Sequence, residues 1–291
     1  SHSSAHPSAA PLNEGTIPPE FNPGAGWGII TQDTTWGGEM QGGEIHLRGD
    51  VLVVEDITLT IKPSTTITFD PVPDPDKEIS HEDMKAYYGE GSYSYLIPGK
   101  YQFFVHGNLN ASGTPLRPIT FRNVEEPYYP INLYTEVMGN ALLQYVETGG
   151  IEDDNYPNPT FKAYGDSTIF SSTFHGPGVF TGRTTFCSNT VDGGFSGSGL
   201  IWNNTINGSS VLETLHSYPS HIAGNTFNVN AGGYGLIIQL KDCFHWDGLS
   251  TDDPDQCRIM VEDNTFNGGL EGIRISGQGA PPTGEYDTHN Y

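Results

Sequence analysis

One short phrase recurs through the second half of this chain. A large apolar residue is followed by two variable positions, Asn or Ser, Thr, and a second large apolar residue. It occurs as Ile169–Phe174, Phe186–Val191, Ile201–Ile206, Ile222–Phe227 and Val261–Phe266. The copies start at residues 169, 186, 201, 222 and 261, so the offsets are 17, 15, 21 and 39. A period near twenty is the mark of a solenoid, in which each unit buries its apolar face only by stacking on its neighbours. A second apolar run follows several copies, as in Gly235-Leu236-Ile237-Ile238 and Gly272-Ile273-Arg274-Ile275. Each unit therefore reads as one coil made of strand, polar turn, strand and Gly-rich turn. The turn positions Ser172, Asn189, Asn204, Asn225 and Asn264 are expected to stack as one ladder. Asn tolerates left-handed backbone and can hydrogen-bond along such a stack.

Composition agrees with many short strands and many turns. The 291 residues include 37 Gly and 21 Pro, and only 16% are charged. No helical periodicity of useful length occurs beyond a turn or two near His81–Tyr87. The formal net charge is −23, which disfavours nucleic acid, anionic membrane and polyanionic sugars unless cations bridge the contact. No apolar run is long enough to span a bilayer. The start at Ser1 fits either a mature form after signal-peptide removal or a scar left by cloning.

Along the chain, residues 1–26 are polar, Pro-rich and nearly free of apolar side chains, an extended tail. Residues 27–278 carry the repeat architecture, and 279–291 form a second polar tail. Two stretches interrupt the rhythm and read as inserted loops. One is 70–99, with Tyr87, Tyr88, Tyr93 and Tyr95; the other is 241–258. The second explains the long offset, with one coil at 222–240 and the next at 259–276. Cys243 and Cys257 bracket that loop, and a bridge closing it would contribute roughly 3 kcal/mol. Cys187 is expected to be a buried free thiol.

The opening coils carry a family resemblance. The stretch GDVLVVEDITLTIKPSTTITF, from Gly49 to Phe69, precedes a segment running from Val105 to Phe121, with Gly107, Leu109, Ala111, Gly113, Thr114, Pro118, Ile119 and Thr120 between. This pair of segments resembles secreted right-handed parallel β-helix proteins of the pectin-lyase-like type, and the Asn-Thr-Phe repeats resemble their later coils. The resemblance covers roughly residues 44–276. It implies an all-β, single-stranded, right-handed parallel β-helix with polar tails at both ends, in a secreted or cell-surface protein. It leaves activity open, because that fold hosts lyases, hydrolases, adhesins and inert stalks.

The chemistry-bearing motifs are weaker. The string Arg117-Pro118-Ile119-Thr120-Phe121-Arg122 lacks the spacing of a pectate-lyase signature and belongs to a strand. Asp153-Asp154 and Asp252-Asp253-Asp255 have no accompanying Gly-His-Gly of the polygalacturonase kind. Asp252, Asp253 and Asp255, or Asp70, Asp74 and Asp76, are candidates for a structural calcium site, since calcium takes six to eight oxygen ligands. No other cofactor is implied. The ten histidines, His216 and His245 included, fall at no metal-ligand spacing. Asn110, Asn203 and Asn207 sit in glycosylation sequons. Thr58, Thr60, Thr66 and Thr68 begin a threonine array of the kind found in ice-binding solenoids, but this array is not continued in the later coils. The exposed aromatics expected to make contacts are the Tyr87–Tyr95 group and Tyr128-Tyr129.

The leading expectation is an extracellular structural or adhesive β-helix that assembles with copies of itself, as a filament or surface layer, through its tails and coil ends. The alternatives are a carbohydrate-active enzyme, a polysaccharide lyase or glycoside hydrolase, and a non-catalytic module for extracellular glycan.

Overall fold

The computed structural model describes residues 20–38, 43–70, 74–80, 99–124, 133–149, 161–208, 210–213, 220–240 and 259–277. These form an all-β parallel solenoid, with no α-helix among them. Each coil has three strands, not the two expected from the repeat, so the rod presents three faces. The first face begins with Gly28–Ile30, Val51–Val53, Tyr101–Val105 and Leu133–Val137, each paired in parallel with the next. The second face begins with Thr34–Trp36, Thr58–Ile61, Asn108–Ser112 and Ala141–Gln144. The third runs without a break through Gly43–Leu47, Thr65–Phe69, Ile119–Asn123, Val146–Gly149, Thr173–His175, Thr190–Asp192, Thr205–Asn207, Thr226–Val229 and Thr265–Gly268. In two coils the first and second strands fuse, as Gly178–Cys187 and Phe195–Trp202, with a register shift between Phe180 and Thr184.

The repeat phrase spans the corner between the second and third faces. Its first apolar residue belongs to a second-face strand and its last lies in the interior row of the third face. Ile169, Phe186, Ile201 and Ile222 point inward, as do Phe174, Val191, Ile206 and Phe227, and all are buried. The residue before each ladder position turns the corner in left-handed backbone: Ser171, Ser188, Asn203, Gly224 and Asp263 have φ between 52° and 63°. Gly224 is required there for a second reason, because a Cβ would stand 2.6 Å from the Asn203 Oδ1. The 39-residue offset is absorbed outside the ladder: Ile222 pairs with Val261, Phe227 with Phe266, and Leu236 with Ile273.

The interior is one continuous apolar column. Aromatic rings interlock in two stretches of it, one formed by Trp36, Phe69, Tyr101, Phe103 and Phe121 and the next by Phe161, Phe174, Phe180, Phe186 and Phe195. The N-terminal end is closed by residues 20–27. Glu20 bridges to Ile29, Asn22 to Trp27, and Phe21 lays its ring 5.1 Å from that of Trp36, over the first coil. The far end differs: Met260, Leu270, Ile273 and Ile275 are all exposed on the last described coil.

A second, smaller apolar cluster lies outside the column on the first face. Ile29, Leu52 and Phe104 point outward from three successive coils, yet are buried with Ile79 and Tyr134. Asp50 holds this arrangement in place. Its carboxylate accepts hydrogen bonds from the backbone N–H of Ile79 (2.8 Å) and of Gln102 (2.9 Å). One side chain thus fastens the segment that leaves the second coil to the strand that begins the third. Burial pushes the Asp50 carboxyl up to about 7, against the lowering effect of the two N–H donors and with a further push from Glu78. The folded state therefore keeps this proton through a pH range in which the unfolded chain has lost it. Its contribution to stability is largest at or below about pH 4, falls as pH rises towards about 7, and is flat above. Asp50→Asn removes that slope. Urea midpoints of the two proteins, compared at about pH 4 and about pH 8, are expected to show a decline specific to the wild type. An equal decline in both would assign the titration elsewhere.

Candidate functional site

The turn residues form the first of two side-chain ladders along the rod. The Asn189 Oδ1 accepts from the Ser172 N–H (2.9 Å), the Asn204 Oδ1 from Asn189 (2.8 Å), the Asn225 Oδ1 from Asn204 (2.9 Å) and the Asn264 Oδ1 from Asn225 (2.9 Å). Each amide Nδ2 reaches back to a carbonyl of the preceding coil: Asn189 to Ile169, Asn204 to Phe186, Asn225 to Ile201 and Asn264 to Ile222. The Nδ2 of Asn189, Asn204 and Asn225 also donates to the Oδ1 one coil further on. Asn204 and Asn225 therefore spend both protons and both lone pairs inside the wall of the rod. Both are buried. They hold the fold and present nothing to a partner.

The second ladder does face outward, on the third face. Along each third-face strand the middle residue points in, and the residues on either side point out. Register places Thr173, Thr190, Thr205, Thr226 and Thr265 in one outward row. Two residues on, a parallel row contains His175, Asp192, Asn207, Asn228 and Asn267. Rungs are about 4.8 Å apart and the two rows about 6.6 Å apart. Contrary to the expectation that the opening threonines are not continued, Thr66 and Thr120 lie in the first of these rows, and beyond Glu147 the Thr of the repeat itself carries it on from Thr173.

Hydrogen bonds lock the second row. The Asn207 Nδ2 donates to the Asp192 Oδ1 (2.7 Å), the Asn228 Nδ2 to the Asn207 Oδ1 (2.8 Å) and the Asn267 Nδ2 to the Asn228 Oδ1 (2.9 Å). His175 closes the row, with Nδ1 3.0 Å from the Asp192 carboxylate and Nε2 3.2 Å from that of Glu147. The five threonine hydroxyls have no partner among the described residues. All ten side chains are partly or fully exposed. Side-chain ladders of this kind are what keep a long stacked sheet from twisting.

The other sequence candidates are dispersed. Asp74 caps the short 3₁₀ turn Pro75–Lys77 through the Asp76 N–H and pairs with Lys77 at 2.6 Å; the Lys77 hydrogen bond holds its carboxyl below the usual range. Asp70 pairs with His46 at 3.0 Å. Asp70, Asp74 and Asp76 are therefore not gathered, and no group of three or more His, Cys, Asp or Glu able to hold a metal occurs among the described residues. Asp252, Asp253, Asp255, Cys243, Cys257, His216, His245, Asp153, Asp154, the Tyr87–Tyr95 group and Tyr128-Tyr129 lie outside the described residues. Cys187 is free but only half-buried, because it occupies an outward position of the second face, its Sγ 3.3 Å from the Ser188 Oγ. Of the three sequons, Asn110 accepts from the Ser112 hydroxyl and Asn207 donates its amide to Asp192, whereas Asn203 stands exposed at a corner.

No protein-family model, curated protein or solved structure matches this chain. No helix among the described residues is long and apolar enough to cross a membrane.

Proposed function

We propose that this is an extracellular adhesive and structural β-solenoid of the pectin-lyase-like type, which works by laying its third face on a neutral, repeating surface. The observation that carries this reading is the two-row array of Thr and Asx side chains. It is exposed, periodic and pre-arranged by its own hydrogen bonds, so little side-chain entropy is lost on contact. Its last three rungs carry no charge, on a chain whose formal net charge is −23. That contrast favours an uncharged partner and leaves the remaining surface to keep the rod hydrated. Each rung contributes little alone; binding accumulates because many equivalent groups meet a matching repeat at once.

Self-association belongs to the same reading and is directed by the ends. The first coil is covered by Phe21, whereas the last described coil exposes Met260, Leu270, Ile273 and Ile275 beside strand edges. Contact between copies then runs through the C-terminal coil. The test is retention of the purified protein on a panel of insoluble crystalline surfaces, with electron microscopy of the same sample. Retention that resists salt is expected, with particles joined at one end. A monomer washing off every surface would overturn the reading.

A further inference from the structure

We infer that the surface recognised by the third face is ice. This rests on the adhesive reading above and names its partner. Three observations separate ordered water from other neutral partners.

The first is the chemistry of the outward positions. Across the five rungs from Thr173 to Thr265 they hold only Thr, His, Asp and Asn, with no Phe, Tyr or Trp among them. Polymeric sugars are gripped by stacking on Tyr or Trp faces, and this surface offers none. Trp202, an exposed indole close by in sequence, belongs to the second face. The second observation is the state of the threonines. Each presents a γ-methyl together with a hydroxyl that has no partner among the described residues. A row of such groups can hold water in fixed positions through the hydroxyls while the methyls limit its freedom to reorient. The third is periodicity in two directions, about 4.8 Å between rungs and about 6.6 Å between rows. Ice also exposes oxygens in regular rows, and a periodic array of hydroxyls can seat water in rows of its own.

Rigidity links these observations. An irregular or mobile set of hydroxyls would hydrate like any polar surface. Here the inner ladder from Asn189 to Asn264 anchors one end of each strand. The outer ladder from Asp192 to Asn267 anchors the other. Asp192 and His175 mark one limit of the array, because charge orders water in a geometry unlike that of ice.

The experiment grows a polycrystalline ice shell in a dilute solution of the full chain and measures how much protein enters it, alongside inhibition of ice recrystallisation. Thr205→Lys, in the middle of the array, is compared with wild type. Thr226→Lys, one rung on, is the second variant, and Trp202→Ala on the neighbouring face is the control. Both Thr variants alter outward-facing side chains and should leave the melting temperature nearly unchanged. The expected result is incorporation of wild type and Trp202→Ala, with loss of incorporation and of recrystallisation inhibition in both Thr variants. Exclusion of the wild type from ice overturns the proposal. Incorporation unaffected by either Thr variant overturns the assignment to this face. Retention on crystalline solids distinguishes the two levels. If wild type is excluded from ice but binds another surface that Thr205→Lys does not, the ice proposal falls and the adhesive reading stands. If no surface distinguishes the two proteins, both fall.

Discussion

Asn204→Ala is expected to destabilise the protein by about 3–5 kcal/mol, a large effect for one polar side chain in the wall of the rod. The reason is the number of groups that depend on one side chain. The Asn204 Oδ1 is the acceptor for both the backbone N–H and the Nδ2 of Asn189, and its Nδ2 donates to the carbonyl of Phe186 and to the Asn225 Oδ1. Truncation leaves the Asn189 N–H and the Phe186 carbonyl short of these partners in a region where Asn189 and Asn204 are both buried. Each such orphan costs about 1–3 kcal/mol. Alanine also leaves a small void between coils. The measurement is the urea midpoint by circular dichroism. A loss below about 1 kcal/mol would mean that water fills the vacated position and satisfies the orphaned groups.

Phe180→Ala is expected to cost about the same, roughly 3–5 kcal/mol, through a different mechanism. Phe180 is fully buried, its ring centroid 5.0 Å from Phe186, 5.3 Å from Phe195 and 5.7 Å from Phe161. It therefore touches the coil below and the coil above. It also stands at the edge of the register shift between Phe180 and Thr184, so its own pairing with Ala163 and Gly197 is the last regular pairing before the strand changes register. In a solenoid, stability is a sum over coils and the interfaces between neighbours. A void at one interface weakens the coupling between two halves of the rod. The variant should unfold in two resolved steps, with the N-terminal half, reported by Trp36, and the C-terminal half, reported by Trp202, losing structure at different urea concentrations. A single shifted transition would show that the void is closed by repacking.

Much of this architecture is legible in the sequence, and the parts that are not escape for identifiable reasons. The Asn positions, the inward apolar residues beside them and the coil offset across 241–258 all follow from a single phrase repeated with constant chemistry. The third strand of each coil stays hidden because the phrase reads as one strand and a turn, whereas the left-handed residue inside it divides it into two strands; first-face strands share no phrase of their own. Val51-Leu52-Val53 is a plain β run, whereas Phe195-Ser196-Gly197 reads as a turn, and it is a strand only because Gly178–Phe180 and Val211-Leu212 flank it. The outward array does carry a signal: every Thr of the repeat is followed two residues later by His, Asp or Asn. That signal is masked because the same Thr is also part of the turn motif, while the more obvious threonine pairs lie in the opening coils. The role of Asp50 lies beyond reach, since its partners are 29 and 52 residues away and nothing local marks it. Cys187 reads as an interior residue because free cysteines usually are; strand alternation next to Phe186 puts it outside.

The closed start and bare finish of the described rod give it a direction of wear. Among the described residues, each coil is secured on both sides except those at the ends, and only the first of these is capped. Thermal fraying, protease attack and mechanical peeling are expected to begin at the far coil and proceed towards residue 20, one rung at a time. The Asn264 amide, bonded to Ile222 and Glu262, is the first latch that such damage must open.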